Sequence, residues 1–126
     1  MIIHLDTGFL IRALVSGSGE DRELRAWLRR GAALGMSAIA WAELLCGPLT
    51  AEHTDIAGRV VGDRVPFGED DAALAARLFN LSGRRRGTLM DCMIAATALG
   101  AGAALATTNA ADFRRFTVAG LEVLTA

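Results

Sequence analysis

Four carboxylates stand out for the company they keep. Asp91 lies in TLMDCMIAATALGAG (residues 88–102), with no other charge between Arg86 and Asp112. Apolar residues recur at 89, 90, 93, 94 and 98, close to the i, i+3, i+4 spacing of a helix facing a core. A carboxylate beside such a surface is costly unless it finds a basic side chain, a helix N-terminus or a metal ion. Glu43, in AIAWAELLCG, is the only charge between Arg30 and Glu52. Asp6 closes the apolar run of Ile2, Ile3 and Leu5, and Asp112 follows ALATT in the string NAADF.

Each acid also has a purely structural reading. Asp6 and Asp112 would cap the helices that follow them, Glu43 would pair with an arginine, and Asp91 would pair with the loop Arg84, Arg85, Arg86. Taken together they suggest more. If strand order brings them to one cleft, four carboxylates cannot all stay ionised without counter-charge, because like charges raise each other's pKa. Hard divalent cations resolve that conflict: Mg²⁺ or Mn²⁺ prefers oxygen ligands, keeps several waters and takes one or two carboxylates. Such a one- or two-metal site suits in-line attack on a phosphodiester, where metal activates water and steadies the leaving oxygen.

The elements that must position these acids follow from periodicity. A short buried strand is expected at residues 2–5, then a helix from Phe9 to about Val15. SGSGED offers Ser18 or Asp21 as cap for a helix from about Arg22 to Arg30. LGMS (34–37) reads as a second strand, with Ser37 capping the helix AIAWAELLCG, which Gly47-Pro48 stops. A helix over 50–63, a strand around Val65 to Phe67, and a helix over 70–83 with Leu74, Leu78 and Leu81 inward come next. GRRRGT is a basic loop before the Asp91 helix. A strand at 103–107, a helical turn in NAADFRRF and a last strand at 121–125 complete the chain. Strands alternating with helices predict an α/β fold, a parallel sheet with helices on both faces. At 126 residues, with no repeat or linker, a single domain over 1–126 is expected.

Composition narrows the chemistry further. The net charge is -1, and all 13 basic residues are arginine. Without lysine there can be no Walker A phosphate loop and no Schiff-base enzyme. GAGAAL (100–105) fits a dinucleotide fingerprint poorly, ending in Leu and following a helix pattern. Cys46 and Cys92, in helical apolar runs without metal-ligand spacing, suit buried thiols in a reducing compartment. His4 and His53 also lack metal-ligand spacing. The start MIIHLDTG is not a signal peptide, and the weakly polar run from Cys92 to Ala106 is shorter than the roughly 20 residues that span a bilayer. A cytoplasmic protein is the expectation.

The chain resembles the PIN-domain ribonucleases, and among them the VapC-type toxins of bacterial toxin–antitoxin pairs. The matching pieces are IIHLDTGFLI, SAIAWAELLCG, LMDCMIAATALGAGAALATTN and the T-x-N-x-x-D-F string of Thr107, Asn109, Asp112 and Phe113, in family order across essentially the whole chain. The resemblance implies a three-layer sandwich around a small parallel sheet. It implies that Asp6, Glu43, Asp91 and Asp112 form the metal-binding catalytic cluster, with Thr7 and Asn109 supporting it through hydrogen bonds. It also implies a Mg²⁺ or Mn²⁺ cofactor, an RNA substrate such as tRNA or rRNA, a homodimer, and a small antitoxin that holds the toxin inactive. Arg84, Arg85, Arg86, Arg114 and Arg115 are candidates for phosphate contact along the rim. One departure is visible: Gly8 stands where the family commonly has Asn or Ser, which puts metal affinity in question or leaves the place to water.

Rival readings remain. LDTG suggests an aspartic protease, but that chemistry needs paired aspartates in a nearly all-β fold. A D-x-D phosphatase fails because Gly8 stands where the second Asp must be. A PIN-fold binding module with an impaired site, or an RNA-maturation nuclease without an antitoxin, would use the same fold. The large apolar residues Phe9, Leu10, Leu14, Trp41, Leu44 and Leu45 are read mainly as core.

Overall fold

The computed structural model describes residues 1–126. Strand β1 (Ile2–Leu5) leads into α1 (Thr7–Ala13) and α2 (Gly19–Arg29). Strand β2 (Ala33–Ser37) leads into α3 (Ala38–Cys46) and α4 (Ala51–Val60), and β3 (Asp63–Val65) into α5 (Glu69–Leu81) and α6 (Leu89–Gly100). Strand β4 (Ala104–Ala106) is followed by α7 (Ala110–Phe113), a 3₁₀ turn (Arg114–Ala119) and β5 (Val123–Leu124). The sheet order is β3-β2-β1-β4-β5, with every neighbouring pair parallel.

The chain therefore winds outward from β1 through β2 to β3, then crosses back to β4 on the other side of β1. Right-handed crossovers place the connections of the two halves on opposite faces, giving the expected α/β sandwich. In β1, Ile3 and Leu5 are fully buried and His4, pointing to the other face, is 2% exposed. The His4 ring lies against Gly35, its register partner in β2, where a Cβ would sit 3.2 Å from the imidazole. Glycine makes room for histidine there. Burial lowers the His4 pKa and favours the neutral ring.

Helix starts follow local chemistry. The hydroxyls of Ser18, Ser37 and Thr50 accept the N–H groups of Asp21, Ala40 and His53, each cap contributing about 1 kcal/mol. Ser18 caps α2, while Asp21 accepts from the Gly17 N–H and pairs with Arg25 at 2.8 Å. Strand β3 stops at Val65 instead of reaching Phe67, because Pro66 has no N–H to extend a ladder. Helix α1 starts at Thr7, ahead of the expected Phe9, because Asp6 caps it.

Several apolar residues expected inside lie outside. Leu81 is 73% exposed, Leu89 50%, Met90 45% and Leu45 55%, and the Cys46 thiol is exposed while Cys92 is buried. For Leu81 length is a reason: helix α5 has 13 residues, about 20 Å, and Leu81 is its last, beyond the reach of the short strands beneath. Phe9, Leu10 and Leu44 are core as expected, with Phe9 stacked on Trp27 at a centroid distance of 5.5 Å. Leu14 and Trp41 pack partly buried against that core. No helix is long and apolar enough to cross a membrane.

Candidate functional site

The winding reverses between β1 and β4, and in open α/β sheets ligands bind in the crevice at that switch point. Asp6 emerges there. Its N–H still donates to the Ala106 carbonyl at 2.9 Å, so its side chain leaves the sheet where pairing ends. The register Leu5↔Ala106 sets Thr107 alongside it. The Thr107 hydroxyl donates to Asp6 Oδ2 at 2.9 Å and accepts the Asn109 N–H at 3.0 Å, while the Thr7 N–H donates to Asp6 Oδ1 at 2.9 Å. Both carboxylate oxygens are thus oriented. Capping α1 and facing the crevice are compatible roles for one side chain.

Thr7 supports the site twice: its N–H holds Asp6, and its hydroxyl donates to the Ala40 carbonyl at 2.8 Å, tying α1 to the first turn of α3, one turn before Glu43. Asn109 contributes its backbone N–H, and its side chain makes no cap bond. Thr107, invisible as a partner until the register is known, holds the second Asp6 oxygen.

Glu43 on α3 is half-buried, Asp91 sits in the first turn of α6, and Asp112 is exposed on α7. Helix α6 packs against both α3 and α7, which gathers these acids around Asp6. Asp112 lies inside α7, whose cap position is Asn109, so it is not a helix cap. Burial raises the Asp6 pKa and the Asp112 charge adds to it, against the bonds from Thr107 and Thr7. Burial raises Glu43, reinforced by Asp6 and Asp91. Burial also raises Asp91, reinforced by Asp112 and Asp6 and opposed by Arg115. Asp6 and Asp91 therefore each lie within electrostatic reach of the other three acids. No group of three or more of these side chains stands close enough together to form a ready-made metal site. Fewer carboxylates suffice for a hard divalent ion, which prefers oxygen donors, keeps several waters and takes one or two carboxylates.

The cation facing Asp91 is not in the Arg84–Arg86 loop. Arg115 Nη2 lies 3.7 Å from Asp91 Oδ2, with the Arg115 side chain 19% exposed. Arg84 instead bonds the Asn80 side chain and lies over Phe79, and Arg84, Arg85, Arg86 and Arg114 face solvent. A Cβ at Gly8 would meet the Thr108 hydroxyl at 2.8 Å, so a threonine from beyond β4 crowds the place where the side chain would begin.

The raised pKa values have a consequence for stability. A carboxylate whose folded pKa exceeds its unfolded value binds protons more tightly when folded. Stability then falls as pH rises from the unfolded pKa through the raised one, and the penalty is complete above it. Every cause acting on Glu43 raises it. In protein freed of divalent ions, Glu43→Gln is therefore expected to raise Tm at pH 7 by about 1–3 °C, a modest gain because water screens a half-exposed group. The gain should disappear near pH 4 in melts run across that range. A lower Tm at pH 7 would contradict the mutual repulsion.

A doubly wound α/β domain with an acidic cluster at its switch point is the class this geometry defines. The PIN domain family model matches residues 3–119, and the chain belongs to that family. Its fold is that of solved toxin–antitoxin structures. VapBC2 from Rickettsia felis, bound to a promoter DNA fragment, superposes with a TM-score of 0.78 at 20% identity, covering 100% of this chain and 99% of the other. VapBC-1 from nontypeable Haemophilus influenzae gives 0.74 at 25% identity, covering 99% and 98%. Mycobacterium tuberculosis VapC20, described as a Sarcin-Ricin loop cleaving toxin, gives 0.64 at 16% identity, covering 94% and 95%. Among curated proteins none matches this sequence.

Proposed function

We propose that this protein is a metal-dependent ribonuclease, an endoribonuclease acting as the toxin of a toxin–antitoxin pair. The observation that carries the reading is the cluster of Asp6, Glu43, Asp91 and Asp112 at the switch point of a PIN fold, three of them with pKa values raised by burial and by the other acids. These carboxylates would hold one or two Mg²⁺ or Mn²⁺ ions. A divalent ion bound there supplies activation of a water and stabilisation of the leaving oxygen of a phosphodiester.

The chain's own residues do the rest. Thr107 and the Thr7 N–H fix the rotation of the Asp6 carboxylate, so it meets a ligand without losing further freedom. Thr7, through Ala40, holds the α3 turn that presents Glu43. The exposed Arg84, Arg85, Arg86 and Arg114 offer sequence-independent contact with an RNA backbone. Arg115 does not belong with them, being largely buried against the acids.

A protein partner also has a place to sit. Beside Glu43, a groove of about 450 Å³ is lined by Ile39, Ala42, Cys46, Met90 and Met93. A second copy or an antitoxin segment covering it would also shade the acidic cleft. The toxin-like neighbours VapBC2 and VapBC-1 support an antitoxin as partner.

Induced expression in bacterial cells tests the toxin reading. Wild type is expected to arrest growth and leave discrete tRNA or rRNA fragments, while Asp91→Asn, made to the same level, does neither. Normal growth of cells holding soluble wild-type protein, freed from any antitoxin, would overturn it.

A further inference from the structure

We infer that Arg115 is a built-in competitor of the divalent ion for the Asp91 carboxylate, a positioning residue acting through Asp91. This rests on the proposed metal site. Arg115 is the second residue of the 3₁₀ turn, with its guanidinium carbon 4.8 Å from the Phe116 ring centroid. That stacking fixes the plane of the group. Its Nε and Nη2 atoms are buried and have no hydrogen-bond partner. They form the side-on edge that pairs bidentately with a carboxylate, and Nη2 already stands 3.7 Å from Asp91 Oδ2. Buried donors left unpaired are costly, so this edge favours any state in which Asp91 closes onto it.

Asp91 is therefore shared between two demands. Turned towards Arg115, it satisfies the buried fork and has its charge neutralised. Turned towards Asp6 and Asp112, it adds a fourth oxygen donor to a set whose mutual repulsion calls for a cation. A divalent ion that recruits Asp91 must do so against Arg115, and by linkage each weakens the other's hold by the same factor. This makes the resting affinity for metal lower than the acidic cluster alone would give. Arg115 has no counterpart for the other three acids: Asp91 is the only carboxylate within ion-pair distance of it.

The test is metal binding without RNA. Titration calorimetry with Mn²⁺ is run on wild type, Arg115→Met, Arg115→Lys and Asp91→Asn, each stripped with EDTA and dialysed. Arg115→Met, which keeps the apolar stem and loses the charge, is expected to bind Mn²⁺ at least about fivefold more tightly than wild type. Arg115→Lys, which restores charge without the planar fork, should fall between wild type and Arg115→Met, which a merely structural role for the side chain would not produce. Equal or weaker binding by Arg115→Met overturns the inference. Should Arg115→Met not fold, Mg²⁺ titration of wild type followed at the Arg115 Nε–Hε NMR signal decides: a shift that saturates with metal and is absent in Asp91→Asn supports it, and an unmoved signal overturns it. Wild type that binds no Mn²⁺, or Asp91→Asn that binds as well as wild type, removes the metal site itself and the inference with it. Wild type that binds while only the arginine variants fail to respond removes the inference alone.

Discussion

Asp6→Asn is expected to lower kcat/KM for RNA cleavage by more than about 100-fold while leaving the fold intact. Changing a group that only supports a metal ligand typically costs 10–100-fold, so loss of a ligand must cost at least that. The substitution keeps shape and much of the hydrogen bonding. An amide oxygen still accepts the Thr7 N–H that starts α1, while the charge facing the crevice is removed and the bond with Thr107 must reverse, the amide N–H donating to the hydroxyl. Because burial already raises the Asp6 pKa, an amide should not destabilise the chain through desolvation. Circular dichroism and a melt confirm the fold, and fluorogenic RNA gives the rate. Activity within about threefold of wild type would mean that Asp6 is a helix cap and nothing more.

Thr107→Val separates the support of Asp6 from Asp6 itself. Valine matches threonine in shape and removes the hydroxyl, leaving Asp6 Oδ2 without its donor and the Asn109 N–H without its acceptor. Leaving buried groups unpaired costs about 1–3 kcal/mol, a Tm loss of several degrees in a domain this size. Divalent-ion affinity is expected to weaken by about 10–100-fold, since a carboxylate free to rotate must be ordered by the ligand. Thr107→Ser, which keeps the hydroxyl, should recover most of both. Calorimetry with Mn²⁺ and thermal melts read the two effects separately. Unchanged metal affinity alongside the stability loss would confine Thr107 to the fold.

How much of this was legible in the sequence depends on distance along the chain. Strand β1, the Ser37 cap of α3 and the helix carrying Asp91 are local, set by apolar spacing and one hydroxyl, and each stands where periodicity puts it. Apolar spacing does not reveal which turns of a helix lie covered, so Leu81, Leu89 and Met90 were expected inward and lie outside. Pairings across the chain were hidden for another reason. Thr107 and Asp6 are 101 residues apart, and only the register of β1 against β4 joins them. Arg115 sits in a run of two arginines that reads as a solvated rim, and its burial follows from the turn that stacks it on Phe116. Glu43 and Asp91 were legible because charge is rare in the segments that hold them, whereas Asp112 stands beside Arg114 and Arg115.

Whether these four acids cut RNA with a divalent ion is decided by one assay. Wild type and Asp91→Asn, both freed of antitoxin and of metal, are incubated with total RNA and defined tRNAs in Mg²⁺, Mn²⁺ or EDTA. Discrete fragments are expected from wild type with Mg²⁺ or Mn²⁺, none in EDTA, and none from Asp91→Asn under any condition. Fragments that persist in EDTA, or equal cleavage by Asp91→Asn, would contradict cleavage by these acids with a divalent ion.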